Sequence, residues 1–300
     1  MNSALILSAT QTAKGRTTGP PFCFAANGLW HWRSLVLRAL SVYLGDTRCD
    51  LTEQSEANPK EPIFNIPAVV VATVAVLILV HAAQAFLLTD QQDIEFVLSF
   101  GFIPARYSGE AGSLPGGFAA DLWTFFTYAF IHADLTHLGF NLAWLIPFGS
   151  ALARRFGAWR YLLFMLTTAA IGAMAHLVTH LGAIEPMIGA SAAISGAMAA
   201  AMRFVFQRQG RIGFFRDAEG AARLPAQPLR ATFQDPRFLL FLATWLGLNA
   251  LFGFGTIAFG ADGQEIAWQA HVGGFFAGLF LFKAFDPARS PPELTAEPSL

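Results

Sequence analysis

The sequence predicts an all-α, polytopic membrane protein built on six spanning helices. Three observations carry this reading. Charged residues make up 13% of the chain and hydrophobic residues 54%. That charge content is about half the soluble norm of roughly 25%, too little to cover a water-exposed surface. Six apolar segments approach the roughly 20 residues needed to cross ~30 Å of hydrocarbon. The loops between them alternate in cation content. The same composition excludes disorder and a disulfide scaffold. A net charge of -1, with no long basic stripe, excludes a general nucleic-acid binder.

Residues 1–62 read as a cytoplasmic N-terminal extension. They contain no acid before Asp46, and Trp30–Leu44 has the pattern of a basic, apolar helix lying on a membrane surface. Cys23 and Cys49 fall here, without a CxxC or a Cys/His spacing. The tract Ala4–Leu7 is too short for a signal peptide, and Lys14 and Arg16 follow it instead of preceding it. The membrane domain occupies residues 63–287, and 288–300 form a short cytoplasmic tail.

Within the membrane domain the spans fall at Ile66–Leu88, Leu135–Ala153, Tyr161–Leu181, Met187–Phe206, Phe238–Phe254 and Ala267–Phe285. An interrupted apolar stretch from Trp123 precedes the second. Cations collect before the first span, after the second (Arg154, Arg155, Arg160) and after the fourth (Arg203 to Arg237). Residues 89–122 hold Arg106 among five acids, and the links around Glu185 and between Gly255 and Ile266 hold no cation. The positive-inside rule then puts both termini in the cytoplasm, which requires an even number of spans. A bacterial inner membrane is the favoured location. The acid-poor start also has the look of a mitochondrial transit peptide.

Ionisable groups inside spans are expensive and point to function. With this orientation, His132, His137 and Asn141 lie at the outer end of the second span. Ser191 lies just inside the outer end of the fourth, and His271 just inside the outer end of the sixth. His137 and Asn141 are four apart and share a helix face. Ser191 sits in Gly189-Ala190-Ser191-Ala192-Ala193-Ile194-Ser195-Gly196, and His271 in Ala270-His271-Val272-Gly273-Gly274 with Gly278 beyond. Small residues let helix backbones approach closely, so this serine and this histidine can reach hydrogen-bond distance. The imidazole would take the hydroxyl proton, and His137, Asn141 and the Ser191 N–H could hold the oxyanion. Taken singly, Ser195 reads as packing, and His81, His176 and His180 read as interhelical hydrogen bonders.

At these residues the chain resembles the rhomboid family of intramembrane serine proteases, over about Asn65 to Asp286. The matching motifs are Ile131-His132…His137-Leu138-Gly139-Phe140-Asn141, Gly189-Ala190-Ser191 and Ala270-His271-Val272-Gly273-Gly274. The resemblance implies a six-transmembrane-helix rhomboid bundle with a water-filled cavity open to the outer side. It makes Ser191 the nucleophile, His271 the general base, His137 and Asn141 the oxyanion-stabilising side chains and His132 a supporting residue. It implies single-span transmembrane proteins as substrates and the lipid bilayer as surroundings, with no cofactor and no metal. Gly101–Leu122 would be the lateral first loop and Gly253–Trp268 the cap over the site. Two positions depart from the usual pattern. Ser195 stands where an aromatic residue commonly packs on the imidazole, and Thr124 follows Trp123 where a Trp-Arg pair is common. Two alternatives fit the same residues less well: a catalytically inactive relative that binds transmembrane segments, and a His-lined transporter or metal site using His132, His137 and His271.

Overall fold

The computed structural model describes residues 65–109, 114–205, 224–253 and 267–287. The expected extension at 1–62, the tail at 288–300 and most of the cap at 253–268 lie outside them. The described chain is helical. Its strand-like element is one isolated antiparallel bridge between Phe102 and Met187.

The first span is α1, Ala68–Leu87. A shorter helix, α2, follows at Asp90–Phe100, within what the sequence predicts as a loop. Its start is encoded locally: Thr89 accepts from the Gln92 N–H, the Gln92 side chain returns to the Thr89 N–H, and Asp90 and Asp93 lie in the first turn. After a 3₁₀ turn at Pro104–Tyr107 comes α3, Gly117–Thr127. The second span is one rod in three parts: α4 (Leu135–Trp144), a π turn (Leu145–Gly149) and α5 (Ser150–Phe156). Pro147 lies inside the π turn. Its missing N–H and its ring disturb a regular ladder, and a wider turn accommodates both. Next come α6 (Ala158–Thr179), α7 (Ser191–Val205), the single turn α8 (Leu229–Thr232), α9 (Pro236–Gly253) and α10 (Trp268–Phe285).

Helices α1, α6 and α9 are long and apolar enough to cross a membrane by length and composition alone. The other three spans depart from that pattern for local reasons. The second is interrupted by the π turn, and α10 carries Gln269, His271 and Lys283. Helix α7 has 15 residues, or about 22 Å at 1.5 Å per residue, which is short of the ~30 Å hydrocarbon layer. The fourth span was expected from Met187, but residues 180–190 are irregular backbone and the helix begins at Ser191.

Burial sorts the helices. Almost every residue of α7 is buried, whereas α1 buries only Val70 and Leu77, and α9 only Phe238 and Trp245. Large apolar side chains such as Leu79, Phe86, Val178 and Leu240 are fully outward. Helix α7 is therefore the central post, and its Ala/Gly composition follows from having neighbours on all sides. Peripheral helices turn leucines and phenylalanines outward, as a lipid-facing surface requires.

Close approach makes this packing possible. A Cβ on Gly274 or on Gly278 would run into the α7 backbone carbonyls of Ala192 and Gly196 respectively. A Cβ on Gly172 of α6 would lie 2.7 Å from the Ala192 Cβ and 2.8 Å from the Ala270 carbonyl oxygen. Helices α6, α7 and α10 thus share one small-residue seam. At its far end the Arg155 guanidinium pairs with Asp286 through two bonds of 2.9 and 2.8 Å, and it stacks on Phe204 and Phe282. That pair ties α5 to the end of α10 and sets the register of the seam.

Candidate active site

The irregular segment before α7 is held from two sides. The Phe102 and Met187 backbones exchange bonds of 3.0 and 2.8 Å, and the Ala105 N–H donates to the Ala183 carbonyl at 2.9 Å. The Gly189 N–H donates to the Tyr128 carbonyl at 3.0 Å, and the Tyr128 hydroxyl donates to the Ala169 carbonyl at 2.8 Å. Backbone at membrane depth needs such partners because lipid offers none. The result is a fixed approach to Ser191 at the head of α7. There the first-turn N–H groups have no intrahelical acceptor and the helix end is partially positive.

Helix α10 brings His271 to this point. Its Nε2 lies 2.6 Å from the Ser191 Oγ. Residues 80 positions apart in sequence meet because the glycine seam removes the side chains that would hold α7 and α10 apart. The other ring nitrogen, Nδ1, is 2.7 Å from the Asn249 Oδ1 on α9.

His137 approaches from α4, whose start is capped by Asp134 accepting the His137 N–H at 2.8 Å. A Cβ on Gly189 would lie 2.7 Å from the His137 Nε2 and 3.8 Å from the Ser191 Oγ. A side chain at residue 189 would therefore collide with the His137 ring and touch the Ser191 hydroxyl, and glycine leaves both uncovered. Gly189 also has φ of +116°, a conformation that side chains resist. Asn141, buried one turn further along α4, donates from Nδ2 to the His137 carbonyl at 2.9 Å. Its amide has a second N–H. His132 is buried before α4, with its ring edge-on to His137 at 5.1 Å, and its Nε2 accepts the Ala190 N–H at 3.5 Å. The His81 Nδ1 is 3.1 Å from the His132 carbonyl oxygen, so this α1 histidine bonds the loop that carries His132.

All five residues singled out from the sequence thus fall in one neighbourhood. Ser191 and His271 touch, His137 lies beside the Ser191 hydroxyl, and Asn141 and His132 adjoin His137. Chemically, a hydroxyl bonded to an imidazole nitrogen can surrender its proton as it attacks a carbonyl. The adjoining N–H groups can receive the charge that develops.

At the two positions that depart from the usual pattern, the structure shows other contacts. The Ser195 Oγ donates to the Ser191 carbonyl at 2.7 Å, turned into its own helix, and Asn249 contacts the imidazole from another span. In the first loop, Arg106 bonds the Leu98 and Pro115 carbonyls. The Tyr107 hydroxyl donates to the Asp121 carbonyl at 2.8 Å and reaches the Thr124 Oγ1 at 3.1 Å, while the Trp123 Nε1–H donates to the Ser99 carbonyl at 2.9 Å. The anchoring arginine therefore precedes α3 instead of following Trp123. Asn249 was missed in the sequence. The available signal was that it is the one amide side chain in the fifth predicted span.

Fold and site together define a polytopic, helical membrane protein that presents a serine hydroxyl to an imidazole at the head of a central small-residue helix. The Rhomboid domain matches residues 119–285, more than half of the chain. The chain belongs to the rhomboid family. The matched region starts within α3 and leaves α1 and α2 outside. Among similar proteins are two named Rhomboid protease GlpG, from Klebsiella pneumoniae subsp. pneumoniae strain MGH 78578 and Klebsiella pneumoniae strain 342. Each is 27% identical over 160 residues, 53% of this chain and 47% of the relative. The alignment thus spans about half the length of either protein.

Proposed function

We propose that this protein is a catalytically active intramembrane serine endopeptidase. The observation that carries the reading is the 2.6 Å contact between the Ser191 Oγ and the His271 Nε2. The Ser191 Oγ attacks the scissile carbonyl while His271 takes its proton. The oxyanion is met by the Ser191 N–H, the His137 imidazole and the Asn141 amide. His271 then protonates the departing amine, and water hydrolyses the acyl-enzyme by the reverse proton path. His132 supports the site by holding the Ala190 N–H. No metal and no cofactor enter these steps.

The membrane location shapes the substrate. A carbonyl inside a membrane helix already accepts an N–H one turn on. Ser191 can attack only a peptide that is extended, so a single-span substrate must unwind near its outer end. Helix-weakening Gly or Pro there lowers the cost. The termini lie in the cytoplasm, and the site opens to the opposite side of the bacterial inner membrane. Residues 63–287 make up the membrane domain. An inactive, segment-binding role is the weaker alternative, because both reacting side chains are present and in contact.

The test is labelling of the detergent-solubilised full chain with a fluorophosphonate. The parent is expected to label at Ser191. His271→Ala is expected to label at least a hundredfold more slowly, since the hydroxyl then lacks its base. Labelling of the parent elsewhere, or His271→Ala labelling at the parent rate, would overturn the reading.

A second prediction separates stabilisers from reactants. Removal of one oxyanion donor typically costs ~10²–10³ in kcat. His137→Ala and Asn141→Ala are therefore expected to keep slow, measurable cleavage of a single-span substrate in proteoliposomes. Parental turnover in either folded variant would remove that residue from the oxyanion site.

A further inference from the structure

We infer that Asn249 is a positioning residue that sets the tautomer and ring orientation of His271, so that the site works as a serine–histidine–asparagine relay across α7, α10 and α9. The inference rests on the proposed serine chemistry and adds a residue to it. The Asn249 Nδ2 donates to the Trp245 carbonyl at 2.7 Å. The amide is thereby oriented, because flipping it would press one oxygen against another. Its Oδ1 then faces the His271 Nδ1 at 2.7 Å. A carbonyl oxygen only accepts, so Nδ1 carries the hydrogen. A neutral imidazole has one N–H, so Nε2 keeps its lone pair, and Nε2 is the atom 2.6 Å from the Ser191 hydroxyl. The tautomer required of a general base is thus selected from the far side of the ring.

The placement is built, not incidental. One turn away on both helices, the Trp245 ring stacks on the Phe275 ring at 4.4 Å. Residues 245 and 249 of α9 face 275 and 271 of α10, so the stacked pair holds the antiparallel register in which Asn249 reaches His271. When the imidazole becomes positively charged during attack, the same Oδ1 bonds its Nδ1–H more strongly. Here a neutral amide supplies this contact.

Two measurements on the full chain test this. In protein labelled with ¹⁵N-histidine, with the His271 signals assigned by their loss in His271→Ala, the parent is expected to show the Nδ1-protonated tautomer. Asn249→Leu is expected to show a mixture or the Nε2-protonated form. This readout needs no turnover, so it stands or falls apart from the protease reading. In cleavage assays, Asn249→Ala is expected to lower kcat about tenfold or more with little change in KM. Asn249→Asp, which can still accept from Nδ1, is expected to recover most of that loss. An Nε2-protonated His271 in the parent, or a tautomer unchanged in Asn249→Leu, would overturn the inference. So would Asn249→Ala turning over at the parental kcat, or Asn249→Asp failing as badly as Asn249→Ala while folded.

Discussion

Ser191→Ala is expected to abolish cleavage of a single-span substrate, while Ser195→Ala keeps it within a few-fold of the parent. The two serines are one helical turn apart on α7 and chemically identical, so position alone separates them. The Ser191 Oγ faces the His271 Nε2, whereas the Ser195 Oγ is spent on the Ser191 carbonyl. Loss of the nucleophile leaves only binding and oxyanion stabilisation, and these cannot form an acyl-enzyme. Removing either hydroxyl deletes a single atom and one hydrogen bond, so both variants are expected to fold, with unfolding midpoints in detergent close to that of the parent. Cleavage by Ser191→Ala at a rate above background, or its loss in Ser195→Ala with Ser191→Ala active, would reverse the assignment.

Gly189→Ala is expected to lower kcat by more than about a hundredfold, a loss on the scale of an oxyanion site put out of use. The added methyl group meets the His137 Nε2 at 2.7 Å, and it takes the space that borders the Ser191 hydroxyl. It also meets a backbone φ of +116°, for which a strain of ~1–3 kcal/mol is typical. Either the methyl stays and fills the place of the oxyanion, or the segment shifts and moves Ser191. Gly139 is the control. It lies on α4 with no atom near a Cβ, so Gly139→Ala is expected to turn over like the parent. Fluorophosphonate labelling of both variants, at matched levels of membrane-extracted protein, separates these outcomes. Near-parental labelling of Gly189→Ala would show that the space beside His137 is not used.

The glycine of the G-x-S motif has a role that the sequence does not reveal. In sequence its smallness reads as helix packing, whereas Gly189 lies before α7 and its bareness makes room for the His137 ring. Its positive φ and its place between Ser191 and His137 depend on the Phe102–Met187 bridge and the Tyr128 carbonyl, which are contacts between loops. Loop pairing of this kind leaves no periodic trace. Helix α2 was legible in principle, since Thr89 and Gln92 form a local capping box. It is short and only half-buried, so no apolar periodicity marks it beside the long runs.

The sequence by itself determined the all-helical, polytopic membrane class and pointed to Ser191, His271, His137 and Asn141 as the candidate site. Hydrocarbon thickness imposes a length on every span, and the cost of a polar group in lipid makes each one conspicuous. Those are one-dimensional constraints, readable along the chain. Tertiary structure alone decided that α7 starts at Ser191 and not at Met187, and that Arg106 anchors the first loop. It also decided that Asn249 faces His271. Each of these depends on which helix lies beside which and in what register. That register is set by glycine seams, the Arg155–Asp286 pair and the Trp245–Phe275 stack acting together. Such contacts join residues far apart in the chain, where neither hydropathy nor spacing records the partner.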